Sequence, residues 1–304
     1  MSLRRARLVY AAGLFAVAAA CSGPADSFED LDQYGDVSTT VTEEPVDFTD
    51  VPYDFTGATP IEDLSALIGT GNTWYGASDS SPYPVSPVCD RFGAQVETVA
   101  ELPMVIEGIV TLHPRFFSKP AFCGSDERYY GAYFIEDSSG GIMVYKDSRV
   151  ADFTYGDRVR LTVHGLSKFF DTTAINVFTD ETVVSRGGAV YYKDLGSDGL
   201  STEHVGETVR IRGEVVVPPT NYNFNQMCMV PEGGNPDGCD PRCIADGEQC
   251  QLEHMLVSID REIGTRQPVI IEPGQILEVT GPVINSFGLQ VVVLRLGQIN
   301  FVEE

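Results

Sequence analysis

The chain is poor in the residues from which active sites are most often built. It has four histidines, His113, His164, His204 and His254, and they are scattered. None has a partner at metal-binding spacing, and Gly-x-Ser-x-Gly is absent. A reaction centre needs a nucleophile, an acid–base pair or a metal within mutual reach, and no such group assembles from this sequence. Enzymatic turnover is therefore not expected, and no cofactor is called for. Cations are scarce as well: 20 Lys and Arg stand against 44 Asp and Glu, a net charge of −24. Nucleic-acid affinity comes largely from phosphate neutralisation, so general duplex-DNA binding is excluded. Long apolar runs are also missing. The longest, Leu8–Ala20, is too short to span a bilayer as a helix.

What is present begins with that run. Arg4, Arg5 and Arg7 precede it and Ala18-Ala19-Ala20-Cys21 closes it, the layout of an export signal over residues 1–20. The cysteine at the cut resembles a bacterial lipobox, although Ala18 stands where that family usually has Leu. The resemblance implies a lipid on Cys21, a membrane anchor and a place in the cell envelope. Ser22 in the next position, where Asp is absent, resembles lipoproteins sent on to the outer membrane. Ordinary cleavage after Ala20 is the alternative. Residues 21–60 read as an acidic, disordered tether, because from Ser22 to Asp63 there are 12 acidic residues and no Lys or Arg.

Cys21 aside, six cysteines remain: Cys89, Cys123, Cys228, Cys239, Cys243 and Cys250. An even number in an exported chain reads as disulfides. Cys89 is expected to pair with Cys123, and the other four among themselves, in any of three ways. The spacings of those four lack the tight C-x2-C pairs of zinc knuckles, so no metal is expected. Asp237, Asp240, Asp246 and Glu248 in the same stretch lack EF-hand spacing.

Residues 61–95 read as a lead-in, with a short helix whose Ile61, Leu64, Leu67 and Ile68 share a face, then a Pro-rich loop from Asn72 to Val88. Beyond it the pattern is of strands. Met104–Leu112, Tyr133–Asp137, Ile142–Tyr145, Arg158–Leu166, Ala174–Val177 and Thr182–Ser185 make a first set over 96–190. A second set over 191–304 repeats the order: Thr208–Val217, then Met255–Asp260 in the place of Tyr133–Asp137, then Ile276–Gly281 and Gly288–Leu294. A Cys-rich insertion, about 219–254, is expected between the first two strands of this copy.

Three features carry a resemblance: Gly108 inside the first strand, the hairpin Phe134–Ile142, and Tyr155-Gly156-Asp157 leading into Val159 and Leu161. Together they resemble OB-fold domains of exported bacterial proteins. The resemblance implies an all-β chain of two consecutive small Greek-key barrels. OB folds usually take ligands across strands two and three, between the loop after strand one and the loop before strand five. In the first barrel those loops carry Arg115, Phe116, Phe117, Lys119, Tyr129 and Tyr130, and Lys168, Phe169 and Phe170. Rings interleaved with cations stack on bases or sugars. Two functions are therefore expected to compete. One is a lipid-anchored scaffold that binds another envelope protein. The other is a module for oligosaccharide or single-stranded nucleic acid. From Ala100 to Asp171 there are 10 acidic and 8 basic residues, a near-neutral balance that favours protein or sugar over a phosphate chain.

Overall fold

The computed structural model describes residues 45–68, 74–76, 96–116, 131–146, 152–169, 172–219, 226–239, 254–259, 270–285 and 288–302. In chain order these form β1 (Phe48–Thr49), α1 (Ile61–Ala66), β2 (Trp74–Gly76), β3 (Val96–Thr98), β4 (Met104–Phe116), β5 (Gly131–Asp137), β6 (Gly140–Lys146), β7 (Arg158–Phe169), β8 (Thr172–Ser185), β9 (Val190–Tyr191) and β10 (Lys193–Gly196). Then follow β11 (Thr208–Val217), β12 (Gln226–Val230), β13 (Met255–Ile259), β14 (Ile276–Asn285), β15 (Leu289–Val293) and β16 (Ile299–Phe301). Among the described residues no helix is long and apolar enough to cross a membrane.

The strands close into two barrels of one topology. In the first, β4, β5, β6, β8 and β7 pair in that order and β7 returns to β4. In the second, β11, β12, β13, β15 and β14 do the same, and β14 returns to β11. Only the contact of the third strand with the fifth is parallel within either barrel. This is the closed five-stranded order of an OB-like barrel, present twice. Strand one must bend where strand two crosses it. A Cβ on Gly108 would stand 3.0 Å from the Glu136 backbone, and one on Gly213 would stand 2.4 Å from the Val230 carbonyl oxygen. Glycine at both positions lets the backbones close.

Period-two alternation sorts the side chains. Tyr133, Ile135, Ile142 and Val144 fill the first barrel with Ile106, Val110, Val159, Leu161 and Val163. Val209, Ile211, Val215, Met227, Met229, Met255, Val257, Val291 and Val293 fill the second. Residues between them on the same strands, Ala132, Phe134, Met143 and Cys228, point outward and are buried too.

Three expectations are corrected. First, Met255–Ile259 is strand three of its barrel, not strand two. Strand two is Gln226–Val230, so the Cys-rich segment lies between strands two and three. Gln226-Met-Cys-Met-Val230 is short and poor in β-branched residues, and it becomes a strand through its cross-strand partners, Cys228 facing Leu256 and Met229 facing Met255. Second, the fold begins at Pro45, inside the stretch read as tether. β1 pairs with β9 in parallel. The Phe55 ring lies 3.7 Å below the Arg158 guanidinium, and Tyr191 N–H donates to the Tyr53 hydroxyl at 3.0 Å. Aromatic residues spaced among acids gave no periodic signal, yet each finds a pocket on the barrels. Third, Trp74–Gly76, read as loop, pairs with β7 and β3. Three residues are too few for a period to show.

Helix α1 forms as its pattern predicts. Ile61, Leu64 and Ile68 are buried in the first core, with Leu67 packed beside them. Its start is held by the buried Asp137 carboxylate, which accepts from Gly57 N–H and Ile61 N–H at 3.3 and 3.4 Å.

Candidate functional site

The OB-like topology directs attention to the outer faces of strands two and three. In the first barrel these are the outward residues of β5 and β6: Ala132, Phe134 and Met143, with Leu112 and Ala174 alongside. All five are fully buried. They pack against Ile284, Val292 and Leu294 of the second barrel in one apolar cluster. The face that an OB fold usually offers to a ligand is here an internal contact between barrels.

The same face of the second barrel is covered differently. Cys228, Val230 and Leu256 point outward from β12 and β13 and are buried with Cys239, against Val216 and Val217. Cys239 is reached by a turn-rich return from β12 and is bonded to Cys228, eleven residues earlier in the chain. The second barrel thus carries its own stapled cover.

Loops at the barrel ends remain. β4 and β5 converge at Phe116, which faces Ala132, and Ala132 faces Tyr145 on β6. Across β8, Lys168 faces Thr173 and Phe169 faces Thr172. Because β6 and β8 run parallel with Met143 facing Ala174, and Val163 of β7 faces Met104 at the start of β4, the loop after β4 leaves one end of the barrel and the β7–β8 hairpin the other. Lys168 is half-buried there. Arg115, Phe116 and Phe169 are located by their backbones. Phe117, Lys119, Tyr129, Tyr130 and Phe170 lie outside the described residues, as do Cys21, Cys89, Cys123, Cys243 and Cys250.

A polar seam runs beside the apolar contact. Gly141 of the first barrel and Gly206 of the second meet backbone to backbone: a Cβ on Gly141 would stand 2.0 Å from the Gly206 oxygen, and one on Gly206 2.2 Å from the Gly141 oxygen. Beside them Thr208 donates its hydroxyl to the buried Glu136 carboxyl. Burial lifts the Glu136 pKa from about 4.5 to about 8. The Glu207 charge adds to the rise, while the hydrogen bonds from Thr208 oppose it. Tyr53, Tyr191, Lys193 and Glu207 border the same cavity of about 200 Å³. No histidine or cysteine lines it among the described residues. Two further polar contacts join the barrels: the Arg295 guanidinium lies 4.6 Å above the Tyr155 ring, and Asn285 N–H donates to Thr172 Oγ1 at 2.8 Å.

Glu136 and the covered faces escape a reading by motif. The signal was there in another form. Ala132-Tyr-Phe-Ile135, Met227-Cys-Met-Val230 and Val291-Val-Val-Leu294 are continuous apolar runs, which mark strands buried on both faces.

No family model matches the chain, and no curated protein matches it. Solved structures resemble it distantly. The tetrameric p202 HIN2 matches with a TM-score of 0.30 and 8% identity, over 66% of this chain and 93% of that one. The wild-type single-stranded DNA binding protein from Thermus aquaticus matches with a TM-score of 0.21 and 10% identity, over 66% and 92%. A Replication Protein A heterotrimer bound to ssDNA matches with a TM-score of 0.26 and 9% identity, over 66% and 48%. Likeness at this level says nothing of a ligand.

Proposed function

We propose that this protein is a non-catalytic binding module. Its two OB-like barrels form one body, and its ligand contacts are made by two loops of the first barrel, the one after β4 and the β7–β8 hairpin. The observation that carries this reading is that the strand-two and strand-three faces of both barrels are already covered from within the chain. A polymer laid across either face would have to displace buried apolar side chains, each stabilised by roughly 1.5–3 kcal/mol. The loops carry what stacking needs: Phe116, Phe117, Phe169 and Phe170 as rings, Tyr129 and Tyr130 beside them, and Arg115, Lys119 and Lys168 at the edge. The ligand class is a chain of flat-faced units, an oligosaccharide or a single-stranded nucleic acid.

The test replaces Phe116, Phe117, Phe169 and Phe170 by Ala. Binding is read by anisotropy of a labelled oligothymidylate and by calorimetry with glucan and N-acetylglucosamine oligosaccharides. Stacking is worth about 1–3 kcal/mol per ring, so the variant should lose well over tenfold in affinity while its Tm changes little. If neither probe class binds the native protein, or if binding survives the four changes, the reading fails.

A second reading rests on the N-terminus. We infer that Cys21 carries lipid, that the acidic stretch after it spaces the body from an outer membrane, and that another envelope protein is its partner. The basic start, the short apolar run and the seven acidic residues, with no Lys or Arg, from Ser22 to Glu44 support it. Mass spectrometry of the N-terminal peptide is decisive, since an unmodified Cys21 thiol rules this anchor out. Crosslinking in the envelope identifies the partner.

A further inference from the structure

We propose that Cys228, Cys239 and His254 form a redox-gated site for one zinc-class transition-metal ion, shut while the two sulfurs are bonded and open once they are reduced. The three side chains come from both ends of the segment that links β12 to β13. Cys228 lies in β12 and registers with Leu256 in β13. Alternation puts His254 on the same sheet face as Leu256, diagonal to Cys228. Cys239 returns over that face from the loop. The candidate ligand atoms of all three lie within 4.8 Å of one another, and all three residues are buried.

The geometry suits one small ion. Zinc–sulfur bonds of about 2.3 Å and zinc–nitrogen bonds of about 2.0–2.1 Å, in a tetrahedron, hold donor atoms roughly 3.5–3.8 Å apart. With the Cα atoms of the two cysteines 5.8 Å apart, cleaving the sulfur–sulfur bond and rotating the side chains supplies that spacing. Charge suits it too. Two thiolates and a neutral imidazole around a divalent ion sum to zero, the one charge state that a pocket among Val230, Leu256 and Val217 accepts at small cost. The steps balance. A dithiol reductant delivers two electrons and two protons to the disulfide, giving two thiols and its own disulfide. The ion then displaces both thiol protons and takes the lone pair of the imidazole.

His254 separates this site from a plain staple, since a disulfide alone has no use for a buried imidazole. The test uses the full chain, reduced under anaerobic conditions, freed of reductant and titrated with Co²⁺ as the probe. The reduced chain should take up cobalt with the intense charge-transfer absorption of thiolate ligation, zinc should displace it, and the oxidised chain should show none. Cys228→Ser or Cys239→Ser should remove the absorption. His254→Ala should weaken binding by at least about tenfold while leaving the oxidised disulfide intact. Cobalt ligation unchanged by His254→Ala, or by loss of either cysteine, overturns the proposal. If a variant fails to fold, the native chain decides: zinc should raise the Tm of the reduced chain and leave the oxidised chain unmoved, and any other pattern overturns it.

Discussion

The two barrels share one strand order and differ in how they hide the same face. The first hides strands two and three under its neighbour, through Phe134 and Met143 against Ile284, Val292 and Leu294. The second hides them under a loop of its own, closed by Cys228 and Cys239. One cover is a contact between distant parts of the chain, held by apolar area. The other is local and held by a covalent bond. An OB-like topology therefore does not settle where a ligand goes, because whatever covers the sheet decides which surface remains.

Breaking the first cover should have the largest effect. Phe134 is fully buried between the barrels, and Phe134→Ala should cost about 3–5 kcal/mol, the usual range for truncating a core Phe. Urea unfolding checks this. The midpoint should fall, and the single transition should split as the barrels uncouple. A shift below about 1 kcal/mol would mean that the barrels barely depend on each other.

Breaking the second cover should cost less and act on one barrel. Cys228→Ser with Cys239→Ser opens a short loop, and the chain-entropy model assigns such closures about 2–3 kcal/mol. Amide exchange should rise in β12 and β13 and stay unchanged in β5 and β6. Equal exchange gains in both barrels would show that the cover is not local.

The third prediction sharpens the comparison at the seam. Glu136 has its folded pKa raised from about 4.5 to about 8, chiefly by burial. The folded state thus holds a proton that the unfolded state releases. The stability this contributes is full below about pH 4.5, falls as pH rises, and is gone above about pH 8. The slope is at most about 1.4 kcal/mol per pH unit, so roughly 2 kcal/mol should be lost between pH 6 and 8. Glu136→Gln, neutral throughout, should flatten that decline. Denaturant midpoints from pH 5 to 9 measure it, and a native curve as flat as the variant's would count against a buried acid at the seam.

Legibility follows from the range of the interactions. Strand positions in the first barrel were readable because alternating Val159, Leu161 and Val163 reports a half-buried strand within a few residues. The repeat was readable as a second run of strand-like segments, Thr208–Val217, Ile276–Gly281 and Gly288–Leu294, and the structure adds that Gly108 and Gly213 answer the same steric demand. The second strand of the second barrel was not, since Met227 to Val230 owes its conformation to Met255 and Leu256, more than 25 residues on. The packed segment at Phe48, Tyr53 and Phe55 was hidden for the same reason: its partners, Val190, Tyr191 and Arg158, lie over a hundred residues away.

By itself, the sequence determined the all-β class, the presence of two similar strand sets in tandem, the short helix before them, the acidic N-terminal stretch and the lack of catalytic spacing. Each of these is written in local periodicity, charge or composition. Only the tertiary structure decided that Phe134 faces Val292, that Thr208 reaches Glu136, that Gly141 meets Gly206, and that His254 stands beside the Cys228–Cys239 bond. These are encounters between residues far apart in the chain. Their free energy depends on which surfaces the folded barrels bring together, and no window of neighbouring residues contains that information.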